Sequence, residues 1–221
     1  ALDLTRAFMR AFSRSGVPLK FSEGFPPAPI ISFGPALGVG TESAEEFLDF
    51  ETIVEIPPEE LQQMLNAQMP DGLRFLSLQI IDAKSDALFK IISAAEYSVP
   101  LNSDHFNDLI KKKVNGKFNG NLADLHESVV ADFMNRDIIE IEKISKGRKR
   151  MQNIKPLIKK LKVVNSKQPL QLRMILSTGS SGNVRPEAVL KQMYDDSADL
   201  LKIRRERLLV EKAGEFCSPL E

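Results

Sequence analysis

Hydrophobic and polar positions alternate along this chain with two different periods. Leu4, Phe8, Ala11 and Phe12 recur at helical spacing, while Arg6, Arg10 and Arg14 fall every fourth residue. That pattern predicts an amphipathic helix over residues 2–14 with a basic ridge. Gly16 suits its end, because glycine takes the left-handed conformation that closes helices. Residues 57–65 predict a second helix, with Pro57-Pro58 at its start and Glu59 and Glu60 in its first turn. Ser103-Asp104 caps a third over 105–114, and two more follow over 122–135 and 184–194. Between them, residues 17–22, 30–33, 47–56, 73–82, 94–101, 138–145, 151–158, 171–177 and 200–210 predict strands. Ile139 and Ile141 alternate with Glu140 and Glu142, and Leu172, Met174 and Leu176 share one face. Residues 159–164 either extend the preceding strand or form a short helical turn.

Each half of the chain therefore runs helix, strands, helix, strand. The expected class is α+β, with two ferredoxin-like (split βαβ) lobes, each an antiparallel sheet with helices on one face. The expected boundaries are residues 1–87 and 88–221. The halves share this order and no evident sequence.

Residues 21–43 hold four glycines and four prolines around two short apolar runs. Glycine permits positive φ, and proline sets φ and removes a donor, so this segment is shaped by its backbone. It is either a rigid loop that, with Arg6 and Arg10, presents Ser22, Glu23, Gly24, Ser32 and Gly34 to a ligand, or a set of corners in a sheet. Asp3 and Glu23 are positioned to pair with Arg6 and Arg10 and pin the loop to the first helix.

Net charge is zero and unevenly spread: residues 1–100 carry 7 basic and 14 acidic side chains, and residues 143–162 carry nine basic and no acidic ones. Lys143, Lys146, Arg148, Lys149, Arg150, Lys155, Lys159, Lys160 and Lys162 make up that run. The reading is phosphate contacts along a hairpin with Lys146 to Arg150 at its tip, or else a charged hairpin that protects a sheet edge. With no Trp and two Tyr, the chain is short of platforms for stacking bases. Gly179-Ser180-Ser181-Gly182-Asn183 lies between a strand and a helix but lacks the Gly-Lys-Ser/Thr of a P-loop. His105 and His126 have no ligand or catalytic partners at readable spacing, and Ser43 and Ser177 have no triad motif. Cys217 is the only cysteine, which rules out an internal disulfide and a cysteine-held cluster and fits a reducing, cytoplasmic setting. No run of apolar residues is long enough to span a bilayer. The chain opens on Ala1 rather than Met, which reads as a piece of a longer polypeptide.

Several blocks resemble the bacterial radical SAM-linked domain family, a domain of unknown function. They are Leu2-Asp3-Leu4-x-Arg6-Ala7, Pro18-Leu19-x-Phe21-Ser22-Glu23-Gly24-Phe25-x-Pro27-x-Pro29, Ser32-Phe33-Gly34-Pro35-Ala36-Leu37 and Glu42-Ser43-x-Glu45-Glu46-Phe47-Leu48-Asp49. Ile154-Lys155-Pro156-Leu157-Ile158, Leu172-Arg173-Met174 and Val184-Arg185-Pro186-Glu187 extend the similarity. The resemblance implies a module fused to, or encoded beside, a cobalamin-binding radical SAM protein, in a setting of RNA metabolism. It also implies a strand before the first helix. Ala1 and Ala28 stand where the family carries histidine.

Together these readings lead to a non-catalytic accessory module that binds or presents tRNA or rRNA, works with a radical SAM protein, has no cofactor of its own and does not enter membranes. The alternatives are an RNA-processing enzyme of tandem ferredoxin-like type and a protein-interaction module.

Overall fold

The computed structural model describes residues 2–113, 120–145, 147–165 and 169–220. The chain forms two compact units: residues 1–37 with 47–89, and residues 38–46 with 90–221. Both mix helices and sheets, as expected for the α+β class, and six α-helices lie among the described residues.

In the first unit, helix α1 (Leu2–Ser15) turns its apolar stripe inward, and helix α2 (Pro58–Asn66) buries Leu61 and Leu65. Phe12, Val17, Leu19, Leu61, Leu65 and Phe75 form the core, with Phe8, Phe50 and Leu78 packed against it. Its aromatic rings meet edge to face: Phe8 on Phe75 with centroids 5.6 Å apart, and Phe12 on Phe50 at 4.8 Å. Strand β1 (Ile31–Phe33) pairs antiparallel with β3 (Leu48–Phe50) in a two-stranded ladder.

Two predicted strands of this unit do not form ladders. Residues 17–22 make only isolated bridges, Leu19 with Thr52 and Phe21 with Pro29. Residues 73–82 lie outside any sheet. The amide groups of α2 side chains take the place of a neighbouring strand there: Gln62 donates to the carbonyls of Phe75 and Leu76, and Asn66 both donates to and accepts from the Phe75 backbone.

The second unit is built on one sheet. Strand β4 (Ala94–Pro100) lies between β8 (Gln171–Ser177) and β9 (Ile203–Lys212), antiparallel to both. β7 (Ile158–Val164) flanks β8, and β10 (Glu215–Cys217) flanks β9. The order is thus β10-β9-β4-β8-β7. Residues 159–164, for which two readings stood open, belong to an edge strand separate from the hairpin before it. Leu172, Met174 and Leu176 are buried, alternating with partly exposed neighbours. Helices α4 (Asp104–Lys113) and α5 (Leu122–Met134) connect β4 to the hairpin of β5 (Glu140–Ser145) and β6 (Arg148–Asn153), and α6 (Pro186–Tyr194) connects β8 to β9. A four-residue helix, α3 (Leu88–Ile91), precedes β4. Asn121 caps α5 by accepting from Ala123 and Asp124, and the Asp124 carboxylate accepts the Asn121 N–H in return.

One strand comes from far away in the sequence. β2 (Thr41–Ser43) runs parallel to β9, with Ser43 opposite Arg205. Arg205 is 1 % exposed, and its guanidinium donates from Nε (2.7 Å) and Nη2 to the Glu46 carboxylate. The Ser43 hydroxyl donates to the same carboxylate, and the Ala44 N–H donates to the Arg205 carbonyl. Burial raises the Glu45 carboxyl above its usual range, with Arg207 pulling it down.

Three buried polar side chains join α4, α5 and α6. Asn107 donates its amide N–H to the Leu101 carbonyl at 2.9 Å, so its oxygen faces His126 Nε2 at 3.0 Å. That nitrogen must therefore carry the proton, and Nδ1 accepts from the Tyr194 hydroxyl at 3.1 Å. Burial holds His126 neutral and lowers its pKa to about 4.

Two outcomes follow. Glu46→Ala leaves the Arg205 cation buried without its carboxylate and should cost about 3 kcal/mol, read as a lower urea midpoint with unchanged slope. For His126, the folded-state pKa lies below the ordinary value, so the unfolded chain binds the extra proton as pH falls. Its contribution is complete above about pH 6.5 and is lost progressively down to about 4, by about 3 kcal/mol in all. Urea unfolding of the wild type and of His126→Gln at several pH values should show that loss in the wild type and a flatter dependence in the variant over this window.

Candidate nucleic-acid interface

The basic run of residues 143–162 falls on two structural elements. Among the described residues β5 and β6 pair only with each other, in register from Glu140 opposite Asn153 to Ser145 opposite Arg148. Side chains on directly opposed residues share a face, and the face alternates along each strand. Lys143 lies opposite Arg150, and Arg148 lies two residues along on the same face. Ile141 and Gln152 share that face, whose described side chains include three cations and no acid. Like charges directly opposed in a ladder repel, and an anion bridging them relieves the repulsion.

Lys149 points to the other face. It pairs with Glu142 at 3.0 Å, in the company of exposed Ile144 and Met151. Its charge is thereby partly spent within the hairpin. Lys155 has a different role: its ammonium donates to the carbonyl of Met134, the last residue of α5, as a cationic cap at a helix C-terminus does. Lys159 and Lys160 lie on β7, where the ladder to β8 slips between Ile158 and Lys160. Lys160 and Lys162 face Ile175 and Arg173 across that ladder. They stand on the edge of the sheet, where lysines also deter pairing with other chains. Lys146 lies outside the described residues.

Arg204, Arg205 and Arg207 lie close together in the chain. The structure separates them. The β4–β9 ladder shifts register between Glu96 and Tyr97, so Arg204 and Arg207 are both exposed while Arg205 is buried. Arg207 pairs with Glu96 at 2.8 Å, Arg173 reaches Glu96 at 3.7 Å and Glu206 at 3.9 Å, and Arg204 reaches Glu206 at 3.8 Å. This lattice of charges was not predicted. The only sequence signal for it was the Arg-Arg-Glu-Arg run, whose phase a bulge then changed.

The Gly/Pro segment divides between the units after Leu37. In the first unit it forms a loop closed at its base: Ser22 N–H donates to the Ala28 carbonyl, Ala28 N–H to the Ser22 hydroxyl, and Ile30 N–H to the Lys20 carbonyl. Ser32 sits in β1 opposite Asp49, and the Gly34 N–H continues that ladder to Phe47. Ser22, Ser32 and Gly34 thus shape or flank the loop, whereas Glu23, Gly24 and Phe25 form its tip. Phe25 is fully exposed, at 101 %. The expected pinning by arginines is absent: Arg6 pairs with Asp3 on its own helix at 3.6 Å, and among the described residues Glu23 pairs with neither Arg6 nor Arg10. Lys20 pairs instead with Glu51, and that hydrogen bond raises the lysine pKa.

The glycine loop at residues 178–183 is a packing device. Gly182 has φ +116°, and a Cβ there would lie 2.9 Å from the Leu157 side chain. A cleft of about 190 Å³ opens beside α6, walled by Leu190, Leu201 and Ile203 with the carboxylates of Glu187 and Asp199. No group of three or more His, Cys, Asp or Glu side chains suited to a metal occurs among the described residues. No described helix is long and apolar enough to cross a membrane.

No curated protein matches this chain, and no solved structure does. A family model described as an uncharacterized protein conserved in bacteria (DUF2344) matches residues 1–186, a span that takes in both the loop and the hairpin, and the chain belongs to that family.

Proposed function

We propose that this protein is a non-catalytic accessory module that binds or presents RNA, working with a radical SAM protein in the cytoplasm. The observation that carries the RNA reading is the acid-free face of the β5–β6 hairpin, where Lys143, Arg148 and Arg150 converge on a ribbon paired to no other described strand. Contacts of this kind recognise phosphates, so they supply affinity and salt dependence without choosing a sequence. The radical SAM partner rests on the resemblance of the loop and flanking blocks.

The second unit reads as a ferredoxin-like lobe. Its four longer strands, counted in chain order within the unit, lie in the order 4-1-3-2, and helices link the first to the second and the third to the fourth. The first unit fits the same plan if one more strand lies between β3 and residues 73–82. The apolar alternation of those residues supports that reading.

A protein-interaction module is the second reading, and Phe25 favours it. A fully exposed ring on a loop closed at its base is presented at little entropic cost to an apolar pocket.

The test is a gel shift with tRNA and rRNA fragments at low and raised salt. The triple variant Lys143→Glu, Arg148→Glu, Arg150→Glu should lose binding by at least about tenfold, while Lys149→Glu should change it by less. Equal binding by wild type and triple variant would remove the hairpin as the RNA site, and no binding by the wild type at low salt would remove the RNA reading. Retention of a co-expressed radical SAM protein by the wild type, lost in Phe25→Ser, would favour the second.

A further inference from the structure

The geometry points to a second phosphate-binding surface, on α1: Arg6, Arg10 and Arg14 form a ridge that takes the sugar–phosphate backbone of a nucleic-acid strand. This inference rests on the RNA reading for the class of ligand, but the site is separate from the hairpin and belongs to the other unit.

The ridge stands on four observations. The three arginines are one helical turn apart, rising about 6 Å per step, a separation comparable to that of successive phosphates along a single strand. All three are exposed, because the opposite face of α1 is committed to the core through Phe8, Ala11 and Phe12. Their charges are not balanced locally: Arg6 has Asp3, whose side chain is 99 % exposed, and among the described residues Arg10 and Arg14 have no acidic partner. Their placement is also unusual for the unit. The first unit holds ten acidic and six basic side chains, and half of the basic ones stand on this one face. A helix gains nothing from like charges four residues apart, which repel. A row of anions offsets that repulsion, with each guanidinium donating in a fork to phosphate oxygens.

Folding and binding separate cleanly here. Arg10→Glu turns the repulsion with Arg6 into an attractive i,i+4 pair, and Arg14→Gln removes the other like-charge pair. The helix is then at least as stable, while the ridge loses its central cation. A ridge that only kept the unit soluble or helical would pass this substitution without effect on a ligand.

The experiment measures fluorescence anisotropy of a labelled single-stranded oligouridylate with the full chain across a salt series. Thermal unfolding is followed in parallel. Four proteins are compared: the wild type, Arg10→Glu with Arg14→Gln, the hairpin variant Arg148→Glu with Arg150→Glu, and a control, Arg74→Glu, that reverses an exposed charge elsewhere in the first unit. The ridge variant should bind about tenfold more weakly, with the magnitude of its salt slope reduced by about 1.4, that is two phosphate contacts at roughly 0.7 each, and an unfolding midpoint that does not fall. The control should stay within about twofold. Unchanged binding by the ridge variant while the hairpin variant weakens overturns the ridge and leaves the hairpin reading standing. Loss by the ridge variant alone supports the ridge and removes the hairpin. An equal loss in the control overturns the ridge, since net charge alone would then explain it. No binding by the wild type at low salt overturns both.

Discussion

The buried pair of Arg205 and Glu46 is the interaction on which the second unit depends. A guanidinium withdrawn from water costs several kcal/mol unless its donors are met. Here Glu46 takes two of them, and the carboxylate is itself held by the Ser43 hydroxyl. This pair explains why a segment more than 150 residues away joins β9 as a parallel strand. A three-residue strand has little ladder of its own to hold it. The ion pair and the Ala44 to Arg205 backbone bond supply what the ladder lacks. The same constraint divides the Gly/Pro segment: its first part closes a loop in one unit, and its last part is drawn into the sheet of the other.

The polar contacts of the second unit follow one logic. Where charge or hydrogen-bonding capacity is buried, it is matched: Asn107, His126 and Tyr194 satisfy one another across three helices, and Lys155 caps α5. Where charge lies on the open sheet face, it forms a lattice of Arg173, Arg204, Arg207, Glu96 and Glu206. Unmatched cations gather most densely on the hairpin face with Lys143, Arg148 and Arg150 and among the lysines of β7, whereas Lys112, Arg185, Lys202 and Lys212 stand exposed elsewhere in the unit. Unmatched cations at fixed spacing on regular structure are what a polyanion requires, and this contrast gives the candidate interface more weight than the raw charge run did.

Much of the fold could be read from residue patterns, because those patterns are local. The helices α1, α2, α4, α5 and α6 follow from apolar spacing and from start signals such as Pro57-Pro58 and Ser103-Asp104. The strands β4 and β8 follow from alternation that matches a half-buried sheet. The candidate site was legible only as a cluster of charge. Periodicity could not say that Lys149 would face Glu142, that Lys155 would turn to a helix end, or that Arg205 would go inside while its neighbours stayed out. Each of those depends on strand register, and a bulge of one residue reverses which side chains face the core.

By itself, then, the sequence determined the α+β class, the positions of most helices and central strands, the polarised charge and the family resemblance, all of which arise from near neighbours in the chain. Only the tertiary structure decided which extended segments acquire partners. Residues 73–82 carry the same kind of alternation as β8, yet they lie outside any ladder, and side chains of α2 take up the backbone groups of Phe75 and the carbonyl of Leu76. Residues 41–43 had no strand pattern to notice, yet they pair with β9, because a buried arginine there needs the carboxylate that follows them. A strand is completed by hydrogen bonds to another strand, and which strand that is depends on contacts that sequence proximity does not encode.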